Sequence, residues 1–390
     1  MGLPSLALSE KPEHFAGTIT FIRLPFPQPY TVERIDLATG KTQQLVQATI
    51  DRPEIRDFCY SPDGTYFLVT MGSGDNWYAN TEIYISEKGC KKLKKLTDNN
   101  IYDGDPAWSP DGKRIAFTRG FGIAGRVLVL DLGLGQEQKV PTIGLRITRS
   151  PAWLPDSRRL VVTAKPLDSD HGMWGFVEIN ISKGAVRWLY RGNFLGGHPF
   201  VSPDGTRLAC IVQSPRRNFD WRREHEFVYH VHVLNLNTEK MQPIGSGPIA
   251  FEQDLLSVWS PDGKQLAWFR RNKKKRTFQV LVYNFEVKKL QKIRLPGDTP
   301  GGYSLVWSPD GKHLACVTSE QPQTYTLRVV TLKSGKSREV LTSKSQIQLL
   351  YWHKSETPLA RRVYSNKYQF LNMEDFRWQF LKLQKALPAL

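Results

Sequence analysis

The sequence predicts an all-β, seven-bladed β-propeller. Three observations carry this: a turn motif recurs six times at a near-constant period, each repeat holds four short strand-like runs, and the two chain ends hold complementary fractions of one further repeat. Six or eight blades are the alternatives in count.

The motif is Ser-Pro-Asp-Gly. It occurs after Tyr60, Trp108, Val201, Trp259 and Trp307, with the variant Leu154-Pro155-Asp156-Ser157 after Trp153. Its aspartates, Asp63, Asp111, Asp156, Asp204, Asp262 and Asp310, are 48, 45, 48, 58 and 48 residues apart, a period that marks a propeller or solenoid. Proline presets φ for a turn, aspartate bonds nearby backbone N–H groups, and glycine allows positive φ where the next strand starts. These are the needs of a hairpin turn. Catalysis would need one special copy beside a base, and six near-equal copies argue for structure.

Each element then follows in order. Residues 1–16 form an N-terminal arm. Gly17–Val46 supplies the second, third and fourth strands of a blade but lacks a first, and Gly17 precedes Gly64 by 47 residues, in register with the period. The six repeats follow. In them a run before the turn ("SLVW"), a run after it ("KRIAFTR", "KQLAWFR"), a third ("RVLVLDL", "TLRVVTL") and a fourth ("KSREVLT") give the four strands of one blade. Gln346–Ser355 is a lone first strand, with Trp352 placed 45 residues after Trp307. Residues 17–46 and 346–355 are therefore expected to build one composite blade that closes the ring and removes its open edges. In the extension 356–390, Met373, Phe376, Phe380, Leu383 and Leu387 recur at helical spacing and Pro388 stops the run, so 373–387 is expected to be an amphipathic helix, with a hairpin as the rival.

On the phrases "DGDPAWSPDGKRIAFTR" and "VWSPDGKHLACVT", residues 17–355 resemble the TolB-type propeller repeat, which is related in shape to tryptophan-aspartate repeat propellers. The resemblance implies a fold. Function does not follow, because such repeats occur in the periplasmic Tol-system protein, in the propeller domains of prolyl-oligopeptidase-type proteases and elsewhere.

Composition narrows the function classes. No run of 18 apolar residues is present, so no transmembrane span is expected. The start "MGLPSLALSEKPEHF" lacks a basic n-region and makes a poor signal peptide, which favours the cytoplasm over the periplasm. The four cysteines lie in no CxxC pattern and read as small core residues of a reducing compartment. His230 and His232 share a strand face, but no carboxylate stands at ligand spacing, so no metal and no cofactor are expected. Gly120 to Gly125 matches G-x-G-x-x-G yet joins two strands, whereas a dinucleotide fingerprint must open a helix. No G-x-S-x-G elbow is present.

Charge gives the strongest functional signal. Fifty-four Lys and Arg against 37 Asp and Glu give +17, which favours anionic partners. The loops between second and third strands of adjacent blades four and five concentrate it in Arg216, Arg217, Arg222, Arg223, Arg270, Arg271, Lys273, Lys274, Lys275 and Arg276, with Trp221 among them as a stacking residue. A second candidate surface is the central channel, lined by residues ahead of each turn: Asp57, Asp105, Ser150, His198, Asp254 and Ser304. The expectation is a monomeric, non-catalytic interaction or scaffold propeller that binds a protein or an anionic polymer such as nucleic acid. The alternatives are a ligand-binding or hydrolytic propeller working at the channel mouth, and a Tol-like envelope component.

Overall fold

The computed structural model describes residues 15–24, 29–49, 51, 54–72, 80–87, 92–120, 125–142, 144–167, 174–192, 199–215, 227–244, 257–272, 277–295, 304–321, 324–353 and 362–363. These form seven antiparallel sheets. Blades one to six occupy residues 54–95, 103–139, 145–191, 200–243, 257–294 and 304–343. The composite blade has the order Gln346–His353, Thr18–Leu24, Thr31–Asp36, Thr42–Gln47. The ring therefore closes as the repeat predicts, with Ile19 opposite Trp352 and Arg23 opposite Ile347.

The first strand of each blade lies at a sheet edge. These first strands touch one another in a closed cycle of seven, so they form the innermost ring. Their neighbours hold the blades together through seven buried apolar clusters among the described residues, one at each blade-to-blade interface. The cluster at the closing seam packs Ile22, Val32 and Tyr351 of the composite blade against Phe58, Phe67 and Val69 of blade one. Burial of such side chains stabilises by roughly 1.5–3 kcal/mol each, so the ring is held mainly between blades.

Closure also has a polar component. The Thr20 hydroxyl lies 3.0 Å from His353 Nε2 and 3.2 Å from the Tyr60 hydroxyl, all buried, and the Tyr60 and His353 rings meet edge to face at 4.2 Å. Burial raises the Tyr60 pKa, with the Thr20 bond opposing it, so the phenol stays neutral. The N-terminal arm reaches into this packing at its end: Phe15 is buried beside His313, and Arg338 covers its ring. Residues 1–14 and the expected helix at 373–387 lie outside the described residues.

The motif turns are explained in full by local bonds. In blade two the Ser109 hydroxyl donates to Asp111 Oδ1 at 2.5 Å, Lys113 N–H donates to the same oxygen at 3.1 Å, and Arg114 N–H donates to Ser109 Oγ at 2.9 Å. Gly112 takes φ +72°. The Ser202–Asp204, Ser260–Asp262 and Ser308–Asp310 turns repeat this arrangement. Blade three tests the rule, because Leu154 cannot donate. There Asp156 takes N–H bonds from Arg158 and Arg159 instead, and Ser157 adopts φ +55° in the glycine position.

Tryptophans ahead of the turns stitch blades together. Trp153, Trp259 and Trp307 donate their indole N–H to Ala107 O, Phe200 O and Val258 O of the preceding blade, at 3.0, 2.8 and 3.0 Å.

Candidate functional site

Two ends of the propeller differ in what they carry. At the turn end lie the motif turns and the hairpins joining third to fourth strands. At the loop end lie the connections between second and third strands and those between blades. The strand directions place every basic-loop stem at the loop end.

In blade five, Gln265–Asn272 pairs with Thr277–Asn284, Arg270 opposite Gln279 and Arg271 opposite Phe278. Arg270 is half-buried at this stem. In blade four the strands run out to Pro215 opposite Phe227. Arg216, Arg217, Trp221, Arg222, Arg223, Lys273, Lys274, Lys275 and Arg276 lie outside the described residues. Their flanking stems stand at one end of neighbouring blades.

Blade three carries further cations at this end, which sequence reasoning missed. At the same end, Lys165 Nζ sits 5.4 Å from the Trp174 ring centroid, and the Arg191 guanidinium sits 3.9 Å from that of Trp188. Gly175 allows this approach. A Cβ there would meet Tyr190 O at 2.3 Å and the Trp188 ring at 2.5 Å. Cation over indole is an attractive geometry; Trp188 is half-buried against the cluster shared with blade two and Trp174 against the cluster shared with blade four, so the two pairs flank the blade-three sheet. The sequence signal was present in "KGAVRWLYR", where Trp188 and Arg191 share a strand, and in "MWGF", whose Trp174 meets Lys165 only across a hairpin.

The channel candidates sit at irregularities of the inner strands. Register shifts fall between Ile55 and Asp57, between Gly104 and Ala107, and between Arg149 and Ala152, so Asp57, Asp105 and Ser150 each stand at a bulge. Bulges re-aim side chains. Asp105 adopts φ +56° ahead of Pro106, a left-handed conformation that non-glycine residues rarely take. Asp57, Asp105 and Ser304 are 5%, 6% and 1% exposed, so the inner strands enclose them rather than offer them to a wide funnel. Asp57 N–H donates to Thr70 Oγ1 at 2.9 Å. His198 and Asp254 lie outside the described residues.

A carboxylate network joins blades one and two, and no motif announced it. Buried Glu82 accepts from Thr97 Oγ1 and from Asn99 N–H, both at 2.6 Å, while Asn99 Nδ2 donates to buried Asp103 at 2.7 Å. Arg119 grips Asp103 with two bonds of 2.8 Å and reaches Glu137 at 2.6 Å. These bonds, Asp103 first, raise the Arg119 pKa further. The network satisfies two buried acids and reads as a latch between blades.

His230 and His232 share a strand, their ring centroids 6.4 Å apart. Burial lowers both pKa values. Among the described residues no group of three His, Cys, Asp or Glu is arranged to hold a metal. Cys59, Cys210 and Cys316 are buried free thiols, and burial raises the Cys316 pKa to about 12.

No family model matches the chain. Hydrazine synthase subunit beta of Kuenenia stuttgartiensis is 31% identical over 120 residues, which cover 26% of this chain and 30% of that protein. Dipeptidyl-peptidase 5 of Porphyromonas gingivalis is 28% identical over 149 residues, 35% of this chain and 21% of that protein. The matches thus span under a third of either relative. Among solved structures, oligogalacturonate lyase of Vibrio parahaemolyticus aligns at TM-score 0.57 and 15% identity, over 83% of this chain and 85% of that one. A puromycin-hydrolyzing peptidase of Mycobacterium tuberculosis aligns at TM-score 0.57 and 16% identity, over 84% and 53%. TolB of Acinetobacter baumannii is also a neighbour, at TM-score 0.49 and 16% identity over 86% and 82%. No helix among the described residues is long and apolar enough to cross a membrane. The chain is thus a seven-bladed β-propeller, and its fold is similar to those of the lyase and the peptidase.

Proposed function

We propose that this propeller is a non-catalytic interaction module whose loop end binds an anionic polymer, with single-stranded nucleic acid as the best-fitting class. The observation that carries the reading is the pair of cation–indole contacts, Lys165 on Trp174 and Arg191 on Trp188, at the end where the Arg- and Lys-rich loops of blades four and five emerge. Guanidinium and ammonium groups neutralise phosphates, and indole faces stack on bases without regard to sequence. The non-catalytic half of the reading rests on the turns: the serine hydroxyls and aspartates of the motif are committed to one another and to backbone N–H groups. The buried free thiols favour a reducing compartment, hence the cytoplasm.

The test is a salt titration of binding to a fluorescent single-stranded oligonucleotide. Replacing Lys165 and Arg191 with Ser should weaken binding and make the slope of log affinity against log salt shallower by about 1.4, at roughly 0.7 per charge. Trp188→Ala should cost about 1–3 kcal/mol of affinity with little change in slope. Unchanged affinity in both variants would end this reading.

A further inference from the structure

We propose that the inner edge of the blade-one strand Glu54–Tyr60 is a strand-addition site, and that its occupant is this chain's own C-terminal extension, through Arg362–Val363. The site lies away from the basic loops and does not depend on their binding polymer.

Blade one is the single five-stranded sheet among the described residues. Its extra strand, Arg362–Val363, pairs antiparallel with the first strand, Arg362 opposite Cys59 and Val363 opposite Phe58. First strands form the innermost ring, so the added strand sits on the channel side of blade one. The hydrogen-bond alternation shows what this edge offers. Ser61 N–H donates to Tyr66 O of the second strand, and Cys59, two residues away, faces that strand too. Phe58 therefore presents its N–H and C=O to the opposite edge, where Val363 is its partner.

An unpaired sheet edge is a template for any extended chain, and strand addition is a recurring mode of peptide capture. Two paired residues are a weak contact for a free peptide. The extension starts at the adjacent closing strand, which ends at His353 and itself touches Glu54–Tyr60, so only a short connection separates occupant from site. Tethering of that length gives an effective concentration on the order of millimolar, enough to hold a weak strand in place. The extension thus caps in cis an edge that a foreign strand would otherwise take.

Two experiments on the full chain test this. With Cys90→Ser to limit side reactions, Arg362→Cys should form a disulfide with Cys59 within one molecule under mild oxidation, read by mass spectrometry of a non-reduced digest. Opposed residues outside the hydrogen-bonded pairs stand about 4.5 Å apart at Cα, within the range a disulfide bridges. The second probe is a synthetic peptide copying residues 356–368 with cysteine in place of Arg362, its sulfur carried as the mixed disulfide with 5-thio-2-nitrobenzoate so that exchange with the Cys59 thiol releases thionitrobenzoate. It should modify Cys59 at least tenfold faster in a Val363→Pro chain, whose residue 363 has no N–H for the ladder, than in the native chain. Val363→Ala keeps the N–H and should retain the slow rate. The proposal is overturned if Arg362→Cys gives no intramolecular disulfide in a chain that melts like the parent. It is equally overturned if the peptide modifies Cys59 at the same rate in the native and proline chains, or if the alanine chain reacts as fast as the proline chain.

Discussion

The turn end and the loop end of this propeller are built on opposite principles. At the turn end, motif copies from different blades repeat the same short bonds, Ser109–Asp111 at 2.5 Å and Ser308–Asp310 at 2.6 Å, and where blade three loses its serine, arginine backbone and side-chain donors restore the aspartate's partners. Among the described residues of the loop end no such pattern recurs: blade three carries cations over indoles, and the blade-four and blade-five stems lead into Arg- and Lys-rich sequence. Uniformity marks the end where the bonds are local, and variety the end where the chain is free to vary. Residues that look reactive at the turn end are the most structural in the molecule.

That contrast can be broken most severely at the ring closure. Deleting Gln346–His353 removes the first strand of the composite blade, with Tyr351 of the seam cluster and Ile347, Leu350 and Trp352 of the cluster against blade six, and should abolish cooperative melting altogether, measured by circular dichroism. A truncated chain with an unchanged melting temperature would show that the seam does not hold the ring. A gentler lesion at the same place is Gly17→Ala. Gly17 has φ +99°, and a Cβ there would lie 2.2 Å from His353 O, so the substitution should cost about 1–3 kcal/mol.

Next in size is the latch between blades one and two. Asp103→Ala leaves Arg119 without its main partner and Asn99 Nδ2 without an acceptor, at an expected cost of about 3–5 kcal/mol in denaturant unfolding. A loss under about 1 kcal/mol would mean that Glu137 alone satisfies the guanidinium.

Smaller still is the single turn. Asp111→Ala should cost about 1 kcal/mol and leave binding intact. Acid should act on several of the turns together. Burial raises the pKa of Asp111, but the bonds from Ser109 and Lys113 outweigh it, so the net shift is downward, and Asp63, Asp204 and Asp310 behave alike. Carboxylates with a lowered folded pKa stabilise above their unfolded value near 3.8 and lose that contribution as pH falls through the folded value, so melting temperature should drop below about pH 4. His230 and His232 add a weaker effect at higher pH. Their depressed pKa values mean that stability declines as pH falls from the ordinary histidine value of 6.5 towards the folded values, and His232→Gln should flatten that part of the curve.

The sequence displayed the turn end far better than the loop end, for a physical reason. Local bonds leave a local signature: Ser-Pro-Asp-Gly encodes its own geometry, so the period, the seven blades and the seam from Gly17 to Trp352 could all be read from spacing. The latch could not, because Glu82, Asn99, Asp103, Arg119 and Glu137 meet across two blades and share no spacing rule. The Lys165–Trp174 pair was hidden for the same cause, needing a hairpin to bring charge onto ring, whereas Arg191 and Trp188 share one strand. The added strand at Arg362–Val363 is too short to leave a pattern, and the helical spacing further along drew attention away from it. Of the channel candidates, Asp57, Asp105 and Ser304 stand three residues ahead of the turn aromatic and could be located by spacing, while their near-complete enclosure depends on packing between inner strands.

One measurement tests the division of labour between the two ends directly. Binding to a single-stranded oligonucleotide should be titrated with salt for two variants in parallel: a loop variant with Arg270, Arg271, Lys273, Lys274, Lys275 and Arg276 replaced by Ser, and a turn variant with Asp111 and Asp262 replaced by Ala. The loop variant is predicted to melt near the parent temperature and to lose affinity, its salt slope shallower by up to about 4. The turn variant is predicted to melt lower and keep the parent slope. A loop variant with the parent affinity and slope, or a folded turn variant that has lost them, would contradict the account.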